Sequence, residues 1–381
     1  MRILKNELYD KFKCLAGNCP ETCCYGWRVL VDDDTKSKYE KKKGFSGFLL
    51  KRNLGGPNKN FFNYDCGSCF FHNFRGLCSL QNKMGEEYMP LICRNFPREI
   101  RNYGYFATMN MDLSCIAVSK MLLENPSRPD TIVLNGECTK KRHGSNDDPQ
   151  FAEIINKSLI ELIELIKIPV DQMGDITIIN CILSSIFHYC NSAQKIVLDR
   201  KDMMLLNDKN MPLSFFEKER NDNLEQIKCF PLPITCLNKL INTDFEFEDT
   251  RRFSNFKKVI DHYHHIFDSK TEEKGEIIWK NMIISLFRKD HYLSEVLLRY
   301  LHYDFQQCFS ELYENYSFTH FSVNAILHLN MLALLMVIWA DRKELRLDDC
   351  AYLISSYERG CCHNPALQKK MYKIVCDYLP L

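Results

Sequence analysis

The stretch Cys14-Leu15-Ala16-Gly17-Asn18-Cys19-Pro20-Glu21-Thr22-Cys23-Cys24 places four cysteines close together near the start of the chain. Cysteine is seldom used so densely unless its sulfur atoms are bonded, and a chain without an export signal normally keeps its thiols reduced. Five more cysteines continue the pattern, at Cys66, Cys69, Cys78, Cys93 and Cys115. These nine positions therefore indicate a metal site.

Length and composition predict an ordinary globular protein. The 381 residues are 45% hydrophobic, which is enough for two domains that each bury a core. Fifty basic residues stand against forty-nine acidic ones, for a formal net charge of +1. Because the chain carries no strong overall field, its charge does not favour nucleic acid or an anionic membrane as a partner.

Neither the N-terminus nor the most apolar segment predicts membrane insertion. The first fourteen residues carry charges every few positions and lack an apolar core segment, so we expect no signal peptide and a cytoplasmic protein. The apolar run from Met331 to Ala340 is about half the length of a membrane-spanning helix. Asn324, His328 and Asn330 interrupt the turns before it, so a buried core helix is the better interpretation.

The fold class that we predict is mainly α. Residues 1–124 form a Cys-rich, metal-binding domain with short irregular elements, 125–150 a connector rich in Pro, Gly and charge, and 151–381 an α-helical domain. Asp148 and Pro149 have the residue types of an N-cap and a first helical position. Helical periodicity then recurs in the ranges 178–197, 253–267, 277–287, 293–301, 321–340, 350–357 and 367–378.

The cysteine spacing leaves the metal open. Pro20 suits the first position of a helix, which would place Cys23 and Cys24 in its first turn, near the positive end of the helix dipole. A zinc site takes four ligands and a [4Fe–4S] cluster takes three or four thiolates, so nine cysteines form either two sites or one site surrounded by structural thiols. The spacing matches neither a zinc ribbon nor a common ferredoxin. The alternative is that these are buried cysteines that act as small hydrophobes.

Several short motifs resemble the flagellin lysine-N-methylase family, which is related to a broader group named for a zinc- or iron-chelating Cys-x-x-Cys-x-x-Cys-Cys domain. The resemblance covers roughly residues 9 to 120. The C-terminal region is also similar around Tyr357-Glu358-Arg359 and His363-Asn364-Pro365. Two positions depart from the family pattern, the extra thiol Cys66 and the sequence Ile116-Ala117-Val118. The matching motifs are Phe12-Lys13-Cys14, Gly17, Cys19, Cys23-Cys24, Gly26-Trp27, Cys69-Phe70-Phe71, Gly76-Leu77-Cys78, Gln81, Gly85-Glu86, Cys93-Arg94, Phe96-Pro97-Arg98 and Leu113-Ser114-Cys115.

The resemblance implies a cytoplasmic enzyme that transfers methyl groups from S-adenosylmethionine to lysine side chains of flagellin, with a [4Fe–4S] cluster held by cysteines. Zinc is the alternative metal. A cluster with three thiolate ligands would leave one iron open for the amino and carboxylate groups of the methyl donor. The candidate metal ligands are Cys14, Cys19, Cys23, Cys24, Cys69, Cys78, Cys93 and Cys115.

No strand followed by a Gly-x-Gly loop is visible, so a methyl donor would be held differently from the cofactor of a Rossmann-like enzyme. Arg94 and Arg98 flank Phe96-Pro97 directly after a candidate ligand, and could bind the cofactor carboxylate through forked hydrogen bonds. The alternative is that both arginines are structural. No residue stands out as a catalytic base.

Asp32-Asp33-Asp34 lacks the spaced ligands of a calcium loop, and we expect a polar turn there.

Two other classes of function compete with the methyltransferase. One is a non-catalytic zinc- or iron-binding or metal-delivery protein whose helical half is an interaction scaffold, and the other is a zinc-stabilised regulatory adaptor. Flagellin is the expected protein substrate if the protein is the methyltransferase. Neither nucleic acid nor membrane insertion is expected, and the oligomeric state stays open.

Overall fold

A computed structural model describes residues 1–26, 28–65, 67–167, 175–198, 216–217, 228–243, 254–289 and 292–380 of the chain. Trp27 and the extra thiol Cys66 lie outside these ranges.

The N-terminal half is built from short strands and helices. One four-stranded sheet has the order β6-β7-β1-β8, in which β1 runs parallel to β7 and antiparallel to β8. Two small two-stranded sheets pair β2 with β3 and β4 with β5. The elements are β1 (Arg2–Asn6), α1 (Asp33–Lys41), α2 (Gly44–Arg52), β2 (Leu54–Gly55), β3 (Phe61–Phe62), β4 (Tyr64–Asp65), β5 (Ser68–Cys69), α3 (Ser79–Met84), α4 (Leu91–Asn95), β6 (Arg98–Asn102), β7 (Phe106–Met111), α5 (Ile116–Glu124) and β8 (Thr131–Asn135).

Strand β8 lies within the segment 125–150 that we expect to be a connector. Its five residues pair with all of β1, from Asn6 opposite Thr131 to Arg2 opposite Asn135. The segment therefore contributes an edge strand to the sheet of the N-terminal half. The three-part division of the chain stays a prediction.

The C-terminal half is helical, as the periodicity predicts. The first helix begins at Pro149, and the Asp148 side chain caps it by accepting a hydrogen bond from the Phe151 N–H at 2.9 Å. The helices are α6 (Pro149–Ile166), α7 (Asp175–Leu198), α8 (Ile234–Ile241), α9 (Ser254–Phe267), α10 (Glu272–Lys289), α11 (Tyr292–Cys308), α12 (Leu312–Asn315), α13 (Phe318–Arg342), α14 (Leu347–Tyr357) and α15 (Pro365–Cys376). A π-helical turn, Glu358–Cys362, follows α14 directly. The mainly α fold class is confirmed.

Helix α13 is the centre of the helical half. It is long and apolar enough to cross a membrane, but 94% of its most apolar window is buried inside the protein. Helices α7, α9, α10, α11, α14 and α15 all contact it. The predicted buried core helix is therefore confirmed.

Two hydrophobic clusters divide the interior unequally. The larger one is continuous from the sheet, through Leu4 and Phe106, to α5 and the helices of the C-terminal half. The smaller one lies under the cysteine loops and consists of Val29, Val31, Tyr39, Leu50, Phe62, Cys69, Phe71 and Leu80. Cys24, Cys78 and Cys93 pack against this smaller cluster. Its limited size makes the cysteine region dependent on other stabilising contacts.

Candidate functional site

Residues 20–24 form turns, so the helix that we predict from Pro20 is wrong. Tyr25 instead forms an antiparallel bridge with Ser68, and the Cys24 carbonyl accepts a hydrogen bond from the Cys69 N–H at 2.9 Å. These backbone contacts hold the chain extended after Cys24, which a helix would not allow. They bring the first cysteine group against the second.

Five cysteines act electrostatically on one another, and we call them the thiol cluster: Cys23, Cys24, Cys69, Cys78 and Cys93. A hydrogen bond to Cys23, together with burial and the nearby thiols of Cys69 and Cys78, raises the pKa of Cys24. Burial, and then Cys23, Cys69 and Cys78, raise the pKa of Cys93. Because each thiol makes ionisation of its neighbours harder, protons or a bound cation must neutralise the cluster.

Two of the candidate ligands have backbone N–H groups directed at their sulfur. Burial raises the pKa of Cys69 to about 11, although the N–H groups of Phe71 and His72 act in the opposite direction. Burial also raises the pKa of Cys115 to about 12, opposed by the N–H groups of Val118 and Ala117 at the start of α5. Such donors stabilise a thiolate, which is the form that binds metal.

Cys115 and Cys14 lie differently with respect to the thiol cluster. The groups that raise the pKa of Cys115 include Cys19 and Cys23, so Cys23 links it to the cluster. Cys14 is exposed, and its sulfur accepts a hydrogen bond from the Ala16 N–H at 3.4 Å.

Asp32 holds the start of α4, the helix that carries Cys93. Its side chain caps α1 by accepting from the Thr35 N–H at 3.0 Å, and it also accepts from the Leu91 N–H at 2.7 Å, where α4 begins. Burial alone would raise the pKa of Asp32, but these donors outweigh it and lower the pKa. The predicted polar turn is thus a helix cap that also fixes the start of the helix carrying Cys93.

The two candidate arginines differ in their surroundings. Arg98 donates to the Phe12 carbonyl at 3.1 Å, and its guanidinium lies 5.1 Å from the centre of the Phe12 ring. Arg94 is exposed on α4. Their assignment to a cofactor carboxylate stays a prediction.

The chemistry of the thiol cluster suits a soft metal ion, since thiolates are the ligands of zinc and of iron–sulfur clusters. Within the described ranges, however, no three Cys, His, Asp or Glu side chains are arranged so that they could hold a metal ion. Ligation would therefore require these side chains to adopt positions other than those in the structure. The choice between iron–sulfur and zinc stays open.

Arg359 joins the cysteine loops to the helical half, and it is a residue that the cysteine pattern does not reveal. Its guanidinium donates to the carbonyl oxygens of Thr22 at 3.4 Å, Tyr25 at 3.1 Å and Ser114 at 3.0 Å. These carbonyls flank the Cys23-Cys24 pair and precede Cys115. One buried cation in the π-helical turn thus fixes two cysteine segments.

Comparison with known proteins gives the setting for this cluster. The chain is 26% identical over 140 residues to the flagellar biosynthetic protein FliU of Salmonella muenchen, covering 35% of this chain and 81% of that protein. It is 26% identical over 124 residues to a lysine-N-methylase of Salmonella typhimurium, covering 30% of this chain and 31% of that enzyme. The lysine-N-methylase of Salmonella choleraesuis matches over 123 residues at the same identity.

The chain is a distant relative of the lysine-N-methylases. It spans about a third of the length of the two lysine-N-methylases that it matches. No family model matches the chain, and no solved structure matches it. The resemblance that the cysteine motifs indicate is confirmed.

Proposed function

We propose that the protein is a cytoplasmic, S-adenosylmethionine-dependent lysine N-methyltransferase that acts on flagellin and depends on a cysteine-bound [4Fe–4S] cluster. The observation that carries the proposal is the thiol cluster, found in a relative of proteins named lysine-N-methylase and flagellar biosynthetic protein. Those names support methyl transfer and a flagellar substrate. The thiols support the metal centre.

The chain offers a specific division of labour. The thiol cluster would hold the iron–sulfur centre, with Cys115 and Cys19 at its edge through Cys23. When bound, such a centre would supply a position for the amino and carboxylate groups of the methyl donor. Arg98 lies at the start of β6, and its remaining N–H donors could bind that carboxylate.

The first test compares flagellin from cells with and without this protein by mass spectrometry. Only the enzyme leaves the mass of one methyl group for each transfer to a lysine side chain. Unmodified flagellin in both strains would contradict the proposed activity. If the purified protein nevertheless carries metal, the non-catalytic metal-binding protein becomes the better interpretation.

The second test measures iron, zinc and sulfide in anaerobically purified protein. We expect Cys69→Ser to lose most of the metal, because Cys69 lies inside the thiol cluster. Cys181→Ser is the matched control, since Cys181 is also buried but lies on α7 in the helical core. Wild-type protein without iron or zinc, or equal metal in both variants, would contradict a metal centre in the thiol cluster.

A further inference from the structure

A second polar cluster lies where the π-helical turn meets α11 and α13. The Tyr300 hydroxyl donates to Glu358 Oε1 at 2.6 Å and lies 3.3 Å from His328 Nδ1. Asp304 follows Tyr300 by one turn of α11, and its Oδ2 lies 3.9 Å from the same nitrogen. Turns of π-helix are rare and are frequent at functional sites. The fold therefore directs polar groups from three elements to one buried position.

Hydrogen bonding defines the direction of the protons in this cluster. The side-chain amide nitrogen of Gln368 lies 3.2 Å from His328 Nε2, and burial lowers the pKa of His328 to about 4. The imidazole is then neutral at pH 7, and this network assigns its proton to Nδ1, which faces Tyr300. Because Tyr300 donates onward, Glu358 is the acceptor at the end of the chain.

The cluster has carboxyl groups and little positive charge to balance them. The acidic groups that act on Asp304 are Glu358 and Glu311, and Glu311 is paired with Arg101. The cation that acts on Glu358 is His363, whose Nε2 is itself 3.0 Å from an oxygen of Asp112.

Arg359, the neighbour of Glu358 in sequence, is turned to the carbonyls of the cysteine loops. In the free protein, protons can neutralise these carboxyl groups, whose pKa values burial raises. A positively charged ligand would take the place of those protons, since buried charges are stable only when paired.

Tyr357 is an independent indication of a ligand. It is fully buried, and its hydroxyl has no hydrogen-bond partner among the residues that the structure describes. The centre of the Tyr357 ring lies 5.8 Å from that of the His328 ring, and Cys362, Glu358 and Asp304 are among the groups that, after burial, raise the pKa of Tyr357. A buried hydroxyl without a partner is costly, and native proteins rarely keep one without a role.

The π-helical turn lies at the edge of the helical core, beside the buried cluster. Glu358 and Cys362 each keep part of their surface accessible, as does Gly360 between them, and His363 is exposed. A lysine side chain is a slender hydrocarbon chain with a charged end, so it needs only a narrow approach. From the same π-helical turn, Arg359 points to the cysteine loops and donates to the carbonyls of Thr22 and Tyr25. The polar cluster and the thiol cluster therefore lie on either side of one short segment.

We propose that Tyr300, Asp304, Tyr357 and Glu358 form the pocket that binds the ammonium group of the acceptor lysine and removes its proton. The inference rests on the proposed function and adds the place where the amine is prepared. Asp304 and the two tyrosine hydroxyls receive the N–H groups, and the Glu358 carboxylate accepts one proton to become a carboxylic acid. The neutral amine nitrogen then forms a bond to the methyl carbon of the sulfonium donor. The carbon–sulfur bond breaks, and its electron pair remains on sulfur.

The first experiment measures binding without the reaction. We use n-butylammonium chloride as a stand-in for the lysine side chain and 1-butanol as the neutral control, with isothermal calorimetry on the full-length, metal-loaded protein. We expect n-butylammonium to bind the wild type and Glu276→Gln, but at least tenfold more weakly to Glu358→Gln. Glu276 is a matched control because it is half-buried and accepts from the Ile234 N–H at 2.7 Å, which glutamine can still do.

The second experiment measures flagellin methylation by the same variants. Glu358→Gln should lower kcat about a hundredfold, the size of effect typical for a lost general base. Tyr357→Phe should raise KM with an unchanged or higher unfolding midpoint, because it removes an unpaired hydroxyl. Tyr303→Phe is its control, since the Tyr303 hydroxyl bonds to the backbone of Met111.

The outcomes separate the two proposals. If the wild type methylates flagellin and Glu358→Gln does so at the same rate, the pocket assignment is overturned. Equal binding of n-butylammonium to the wild type and Glu358→Gln overturns it too. If the wild type leaves flagellin unmodified, the proposed function fails, and the calorimetry still decides whether the pocket binds an alkylammonium ion.

Discussion

Replacing Asp304 by asparagine should stabilise the protein at neutral pH but not at low pH. Asp304 is 7% exposed, and burial followed by repulsion from Glu358 raises its pKa from 3.8 to about 7. The groups that face it are Glu358 on the π-helical turn, His328 on α13, and Cys308 and Glu311 after it in sequence. The fold therefore prefers this carboxyl group protonated.

The sign and size of the effect follow from proton linkage. Below pH 3.8 Asp304 is protonated in both the folded and the unfolded chain, so it does not change the free energy of unfolding with pH. Between there and about pH 7 only the unfolded chain loses the proton, and the free energy of unfolding falls as the pH rises. A shift of roughly three pKa units corresponds to about 4 kcal/mol, which Asp304→Asn should restore.

Urea unfolding near pH 4, 6 and 8 measures this gain, with the metal content of the wild type and the variant kept equal. Burial lowers the pKa of His328 to about 4, so protonation of His328 in the unfolded chain lowers the free energy of unfolding as the pH falls. This contribution is the same in the wild type and the variant, and it cancels in the difference between them. Asp130→Asn is the control, since Asp130 is an exposed partner of Lys167 at 2.8 Å. A gain of the same size at every pH, or a loss at pH 8, would refute the reasoning.

Three further substitutions test contacts that position the sites. Arg359→Ala should lower the free energy of unfolding by roughly 3 kcal/mol, because three carbonyl oxygens lose a charged donor. It should also lose any bound metal at a lower urea concentration than the one that unfolds the helical half, which urea unfolding with metal analysis checks. Asp32→Ala should cost about 1 kcal/mol as a lost cap and also lower metal content, because α4 and Cys93 lose their anchor; thermal unfolding with metal analysis measures both. Asp148→Ala should cost a similar amount, about 1 kcal/mol, in the same thermal assay but leave the metal content unchanged, since it caps a helix of the other half.

Local chemistry made the helical half predictable. Asp148 and Pro149 define a helix start within two residues, and apolar spacing needs only the turns on either side. Pro20 has the same local preference, but a backbone hydrogen bond between Cys24 and Cys69 outweighs it. The sheet was not predicted for the same reason, because β1 finds its partners more than a hundred residues away.

The buried polar cluster could not be predicted from spacing. His328 and Glu358 follow Tyr300 by 28 and 58 residues, and only helix packing brings the three together. His328 did leave one signal, since it interrupts the apolar turns before Met331. Convergence of the cysteines was predictable, because their spacing is short, but which of them meet depends on the small core beneath.

The position of β1 has a consequence for synthesis of the protein. Its two partner strands, Phe106–Met111 and Thr131–Asn135, leave the ribosome long after it does. Until then the first strand and the cysteines that follow it have no sheet to join, and pairing must close a loop of about a hundred residues, which slows folding. Nascent chains would therefore carry reduced, unshielded thiols for several seconds at ordinary elongation rates of about 5–20 residues per second. If the thiol cluster binds a metal as proposed, its delivery during that interval would compete with oxidation of the thiols.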